Sequence, residues 1–502
     1  MAEKSIIIIG AGIAGLSAGC YGQMNGYHTH IFEMHVKPGG LCTSWKRHGY
    51  TIDGCLHWLV GSGPGNSFHR IWKELGALQG RRIINHDEFA RIEGAAGQVF
   101  IVYTDIDRLE QHMKELAPED KEPIEELTSG MRTLARFDLP IEKAPEVWGL
   151  GDGIKTLFQL LPFVGAIRKW ASTSSQNFAA RFRDPFLRQA MLLLFDYFPD
   201  SPMGFMMMNL AWMHAKSAGY PLGGSWEFAR SIERRYLGLG GEISYHSPVA
   251  KVLVENGRAT GVRLADGSEH RADSVISAAD GHATIFRMLE GKYTDQKVRS
   301  YYESLPVFPP LIHIALGVAR TFEEVPPSIS GADFPLDKPV IIAGKEYQRL
   351  GVHIYNFDST LAPPGKTVVK VMLPSDYPYW KALQEHPDRY RAEKEEIADK
   401  VIALLDRRFP GLAAQVEMRD VATPLTYERY TGNWQGSFEG WLITTKTFGL
   451  RMSKTLPGLA NFYMCGHWVE PGGGVPPAAL SGRNVVQLVC RRDRRTFVTT
   501  VP

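Results

Sequence analysis

Ile6-Ile7-Ile8-Ile9-Gly10-Ala11-Gly12-Ile13-Ala14-Gly15-Leu16 opens the chain almost at once, and the fold can be read outward from it. Four consecutive β-branched residues predict a strand buried on both faces, as in a parallel sheet. The glycines that follow sit where a strand must turn sharply into a helix. Gly10 permits the turn, Gly12 lets backbone approach a pyrophosphate, and Gly15 allows the helix to pack closely on the strand. The helix start, with Ile13 and Ala14 in its first turn, offers free N–H groups and a positive dipole end to phosphate. Asn25-Gly26 marks the helix end, and His28 to Phe32 reads as a second strand closing on Glu33. That acid is placed to accept hydrogen bonds from ribose hydroxyls and would repel a 2′-phosphate. Strand, loop, helix, strand and terminal acid in this order predict a dinucleotide-binding βαβ unit; a bare GxGxxG match would be weak evidence.

Further along, Glu33 is followed after five residues by Gly39-Gly40, then Leu41, Cys42, Thr43 and Ser44. This resembles the extended fingerprint of the large superfamily of FAD-dependent oxidoreductases, which implies FAD rather than a nicotinamide cofactor. The glycine pair is expected to bring a second loop to the phosphates. Gly238-Leu239-Gly240-Gly241 follows no convincing strand, so a separate NAD(P)H domain is not expected.

Near the other end, Asn461 to Asn484 contains a short apolar strand (Phe462 to Cys465), a glycine loop and a helix beginning near Pro476-Pro477, where proline suits a first turn. Such a helix start would stabilise negative charge on a reduced flavin. Three further segments lie in order: Gly49–Leu59 (Gly-Tyr-Thr-Ile-Asp-Gly-Cys-Leu-His-Trp-Leu), Ala422–Thr431 (Ala-Thr-Pro-Leu-Thr-Tyr-Glu-Arg-Tyr-Thr), and Pro-Gly-Gly-Gly-Val-Pro at Pro471–Pro476. Together with the fingerprint they resemble the phytoene desaturase, carotenoid isomerase and retinol saturase group. The resemblance implies an α/β protein, with a Rossmann-like FAD-binding domain of the glutathione-reductase/amine-oxidase type and an inserted α+β substrate domain. It also implies that Gly466, Gly473, Gly474 and Val475 line the flavin. Two departures stand out: Val469-Glu470-Pro471-Gly472 replaces the Thr-His-Pro-Gly of many desaturases, and His467 replaces an aspartate common after the strand glycine.

The middle of the chain suggests how the two domains interleave. Val249 to Leu264 reads as strand, turn at Asn256-Gly257 and strand, with Val249 placed to touch the adenine through its backbone. The expected FAD-binding segments are 1–84, 222–285 and 456–502, and the substrate segments 85–221 and 286–455. Met191, Met203, Met206, Met207, Met208 and Met213, with Phe195, Tyr197, Phe198, Phe205 and Trp212, form either an adaptable wall for a long apolar ligand or an ordinary helical core. Ile154 to Trp170, broken by Pro162, reads as a segment resting at a bilayer interface or as a lid packed on protein. The run from Arg491 to Arg495 reads as a solvated terminus, with contact to anionic lipid as the alternative.

The 502 residues carry a net charge of +2, which gives no electrostatic case for nucleic-acid binding. The five scattered cysteines contain no CxxC pair, no metal site is readable, and a reduced intracellular setting is expected. With a strand already under way at Ser5, no cleavable leader is expected; nor is a membrane-spanning helix. The expected location is cytoplasmic, with peripheral membrane contact. The resemblance implies an enzyme that introduces, removes or shifts C=C bonds in a hydrophobic polyene, isoprenoid or fatty-acyl substrate by hydride exchange with flavin N5. His57 is the candidate for moving a proton, with a hydrogen-bonded core histidine as the alternative; Glu470 and His467 are weaker candidates. An amine oxidase with Trp434, Trp441 or Trp468 in an aromatic cage and a non-catalytic lipid escort are the competing functions.

Overall fold

In the computed structural model, which describes residues 4–195 and 200–502, the isoleucine run lies at the centre of a sheet. Lys4–Ile9 pairs in parallel with Tyr27–Phe32 on one side and with Ser274–Ser277 on the other. Glu242–Ser244 and Phe462–Met464 complete a five-stranded parallel sheet at its two edges. Ile6 to Ile9 are buried on both faces, as a continuous apolar strand requires. The fingerprint helix, Ile13–Met24, is buried along most of its length because other elements surround it. Helix Val475–Arg492 packs against it so closely that a Cβ on Gly482 would sit 2.3 Å from the Ala14 carbonyl oxygen. Ser17 Oγ ties the two helices together by donating to the Ala479 carbonyl at 2.6 Å.

The second sheet has seven strands drawn from residues 88–103 and 311–422. Next to its edge strand Val416–Ala422, the fully buried Leu311–Val318 pairs with that strand on one side and with Thr367–Pro374 on the other. Between the sheets runs a hairpin, Ser44–Arg47 and Tyr50–Asp53, turned by His48 and Gly49 with φ of 47° and 85°. Two left-handed residues in succession suit a tight hairpin turn. Although it follows the second glycine loop, this hairpin docks on the seven-stranded sheet. Tyr50 Oη donates to Glu417 at 2.8 Å, and Thr51 N–H donates to the Leu361 carbonyl at 2.7 Å.

Two expectations about the periphery change. The basic terminus is neither a freely solvated run nor a lipid contact throughout. Arg492 donates to Ser274 and Asn461, Arg495 donates to the carbonyls of Asn25 and Gly26, and Arg491 donates to the Glu146 carbonyl. The run fastens the C-terminus to the ends of the nucleotide sheet. The methionine stretch divides: Met191, Met203, Met207 and Met213 are core, whereas Met206, Met208 and Phe205 are only half-buried. Tyr197 and Phe198 lie outside the described residues. Pro162 does break the apolar segment, into helices Leu150–Leu160 and Val164–Ser172 joined by one tight turn. Among the described residues no helix is long and apolar enough to cross a membrane.

Candidate functional site

The loop after the first strand and the loop bearing Gly39-Gly40 are hydrogen-bonded to each other. Gly39 N–H donates to the Ala11 carbonyl at 2.9 Å, and Gly40 lies against Gly12, where a Cβ would come within 3.3 Å of the Gly12 Cα. The fingerprint glycines divide their labour. A Cβ on Gly15 would sit 1.9 Å from the Gly10 carbonyl oxygen, so Gly15 serves packing. A Cβ on Gly12 would meet no protein atom within 4 Å, so nothing in the chain itself excludes a side chain there. Gly12 caps the helix without a side-chain hydrogen bond, and no acid occupies the first turn, leaving amide N–H groups for an anion.

Glu33 fixes the other wall. One carboxylate oxygen accepts from Ala11 N–H at 2.6 Å and the other from His35 N–H at 2.7 Å. Burial pushes its carboxyl up while these N–H groups hold it down. Each oxygen retains acceptor capacity for a ribose. Leu41 is half-buried beside the second loop, and Val249 begins a strand two residues after Ser247, whose N–H donates to the Glu33 carbonyl. The opposite end of the cradle comes from the C-terminal loop. Gly466, Gly473 and Gly474 all have positive φ, a Cβ on Gly466 would lie 3.7 Å from Ala14 Cβ, and Val475 starts the last helix. The structure therefore brings Gly466 of the C-terminal loop to the fingerprint helix. Thr43 Oγ1, buried beside them, has no hydrogen-bond partner among the described residues. An uncapped helix end, glycine faces open to a ligand and an orphaned buried hydroxyl fit a pyrophosphate-bearing flavin.

Beyond the cradle, the hairpin delivers Asp53 and His57 to the second sheet. Asp53 caps helix Gly224–Gly238 from outside, accepting from Ser225 N–H at 2.6 Å and Ser225 Oγ at 2.5 Å. Lys370, on strand Thr367–Pro374, is 1% exposed and donates to His57 Nε2 at 2.8 Å and the Asp53 carbonyl at 3.3 Å. Burial lowers its ammonium to about 8, against the opposing pull of Asp53. His353 stacks on His57 with ring centroids 4.9 Å apart, and His313 stands on the neighbouring strand. Burial and the nearby lysine hold all three imidazoles well below the usual histidine range, so each is neutral. His57 is thus no isolated core histidine bonded to backbone. It belongs to a polar cluster within the protein.

Lys370 and Glu439 were not found from sequence. The available signal for Lys370 was a single charge inside the apolar strand Thr-Val-Val-Lys-Val-Met-Leu. Glu439 lies against the C-terminal loop, where a Cβ on Gly473 would be 2.8 Å from its Oε2, and burial raises its carboxyl to about 8. The weaker candidates hold structural positions. Glu470 pairs with Lys454 at 2.7 Å, and His467 meets Asn433 at 3.3 Å. Trp434, Trp441 and Trp468 do converge, but they pack on one another and on Tyr302, with Trp441 and Trp468 at 5.0 Å and 87°; they form core, not a cage.

Comparison with known proteins agrees with this geometry. The description of flavin containing amine oxidoreductases matches residues 13–490, and the chain belongs to that family. It is an FAD-dependent oxidoreductase. It is 25% identical over 492 residues to the chloroplastic prolycopene isomerase of Daucus carota, covering 96% of this chain and 79% of that protein. It is 26% identical to the neurosporene-forming phytoene desaturase of Cereibacter sphaeroides, covering 94% of this chain and 91% of that protein. Among solved structures, an oxidoreductase from Methanosarcina mazei (TM-score 0.60, 19% identity, 96% and 100% of the two chains) and a redesigned putrescine oxidase (0.61, 14%, 98% and 99%) share the fold.

The cradle makes two glycines separable. Gly12→Val is expected to fold, with a normal circular dichroism spectrum, and to lose bound FAD on purification, because its side chain fills the phosphate position. Gly15→Val is expected not to fold. A yellow, fully loaded Gly12→Val protein would show that the dinucleotide lies elsewhere.

Proposed function

We propose that this oxidoreductase introduces, removes or shifts a C=C bond in a hydrophobic polyene, isoprenoid or fatty-acyl chain. The observation that carries the reading is the wall beside the polar cluster of His57. Trp58, next to His57, donates its indole N–H to Asn209 at 3.0 Å. One turn earlier on helix Met203–His214 come Phe205 and Met206, neither fully buried. An apolar, adaptable face thereby leads up to the polar cluster. The relatives named above support a polyene, and the filled tryptophan core gives no support to an amine. Bound FAD supplies two-electron hydride chemistry. Gly10, Gly12, Ile13, Ala14, Gly15, Glu33, Gly39, Gly40, Leu41, Val249, Gly466, Gly473, Gly474 and Val475 are the proposed binding residues, and His57 is the proposed proton-moving group.

Entry of such a substrate fits the exposed segment on the same helical layer. Leu150, Ile154, Leu157, Phe158, Leu161 and Val164 are all exposed, Leu150 by 92% and Phe158 by 70%. Six large exposed apolar side chains on one segment suit insertion into a bilayer interface, from which a lipid would pass inward. Leu157→Ser/Phe158→Ser is expected to abolish flotation with phosphatidylcholine vesicles while leaving bound FAD unchanged; equal flotation would remove this segment from the membrane contact.

Anaerobic spectroscopy tests the substrate class. Bleaching of the flavin by one polyene or fatty acid, with a product lacking two hydrogens, is the outcome expected for desaturation. Conversion without lasting bleaching identifies isomerisation, and a product gaining two hydrogens on reoxidation of pre-reduced flavin identifies saturation. Bleaching by amines alone would overturn the proposal.

A further inference from the structure

Five polar groups, Lys370, His313 and Tyr355 buried and His57 and His353 half-buried, converge where the hairpin meets the second sheet, and their hydrogen bonds do not balance. Lys370 Nζ gives one N–H to His57 Nε2 at 2.8 Å and another toward the Asp53 carbonyl at 3.3 Å, and it sits 5.1 Å from the ring centroid of Tyr355. His313 Nε2, His353 Nδ1 and Tyr355 Oη, packed around it, have no hydrogen-bond partner among the described residues. An unpaired buried polar atom costs about 1–3 kcal/mol, so a purely structural cluster would not be expected to leave three. His57, His353 and Trp58 are only half-buried, so the cluster is not sealed on every side.

The groups around Lys370 set its proton affinity. Asp53 and Cys55 face it from the hairpin end, His57 just beyond, His353 and Tyr355 from strand Lys345–Ile354 and the residue after it, and His313 from strand Leu311–Val318. Tyr427 Oη reaches His313 at 3.4 Å, and Tyr220, bonded to Asp358, lies behind Asp53. Asp53 is the acid whose charge bears most on it; burial pushes that carboxyl up, and both its oxygens are already engaged, by Ser225 and by Cys55 N–H. Lys370 therefore has electrostatic support without a direct carboxylate partner, an arrangement in which an amine readily changes its protonation state.

We infer that Lys370 is the proton reservoir of the site, exchanging its proton with the substrate through His57. The inference rests on the polyene reading above and deepens it. With Nε2 accepting from the ammonium, the neutral imidazole carries its own proton on Nδ1. When hydrogen is added to a C=C bond, Nδ1–H is given to one carbon, Lys370 N–H passes to Nε2, and the amine is left neutral. FAD, held by the glycine cradle, would supply the hydride with its electron pair to the other carbon. Removal runs in reverse. With FAD as the group that would accept one hydrogen as hydride with its electron pair, the second leaves as a proton to Nδ1 while its C–H pair becomes the new π bond. The Nε2 proton then returns to the lysine amine. Lys370 acts through His57 and is a positioning residue; His57 is the group that touches substrate.

Lys370→Met, Lys370→Arg and His57→Gln, each checked for bound FAD, test this. In single-turnover reactions with the reactive polyene, Lys370→Met is expected to lose roughly 100-fold or more. The inflection near pH 8 in the wild-type rate should vanish with it. Lys370→Arg, which stays charged, should support addition poorly and removal not at all. A readout independent of turnover is the 15N spectrum of the histidines. The His57 ring nitrogens should shift together as pH crosses about 8, and Lys370→Met should abolish that shift. A wild-type His57 signal indifferent to pH 7–9, or a Lys370→Met enzyme with unchanged rate and profile, would overturn the relay. A normal His57 shift in a protein that reacts with no polyene would overturn the substrate reading alone.

Discussion

The structure depends on one contact between loops: the Gly39 N–H bonded to the Ala11 carbonyl, with Gly40 resting against Gly12. Neither glycine loop makes a cradle alone. Joined at the end of the parallel sheet, they leave uncapped helix amide groups beside open space at Gly12, where an anion is stabilised. Glu33 locks this arrangement because its two oxygens hold Ala11 and His35 from either side. The last helix is then obliged to pack on the fingerprint helix through Gly482, which brings Gly466 to Ala14 and closes the cradle from the chain's far end.

The same contact places the polar cluster. Leaving the second glycine loop, the chain has only Leu41 to Thr43 before the hairpin begins, so the hairpin must start beside the nucleotide and run onto the second sheet. Asp53 ends that hairpin as a helix cap, and His57, four residues on, meets Lys370. A charged lysine inside a sheet is costly unless hydrogen-bonded. Here the cost is met by groups that lie more than 300 residues away in sequence.

That separation explains what sequence could and could not tell. The nucleotide half was legible because its information is local: strand, turn, helix and acid fall within the first 33 residues, and the C-terminal loop carries its own glycines. His57 was found only through resemblance, and its partner Lys370 was hidden because nothing near Val368–Met372 specifies what faces that strand. Glu439 was missed for the same reason. The basic terminus was misjudged because a charge run reads as solvated unless the carbonyls and side chains that receive it are known; Asn25, Gly26, Ser274 and Asn461 come from three other elements. The methionines divided between core and wall because helix Met203–His214 is buried on nearly every side, and periodicity cannot rank its faces.

Titrating the protein, stripped of flavin, with FAD, FMN and riboflavin tests the central claim most directly, since all three share the isoalloxazine ring and differ in what the glycine cradle holds. FAD should bind one to one, and riboflavin should be weaker by roughly 100-fold or more, the worth of two hydrogen bonds to charged phosphate, with FMN also far below FAD. Equal affinity for riboflavin and FAD would mean that the glycine loops do not hold the dinucleotide, and would contradict the account.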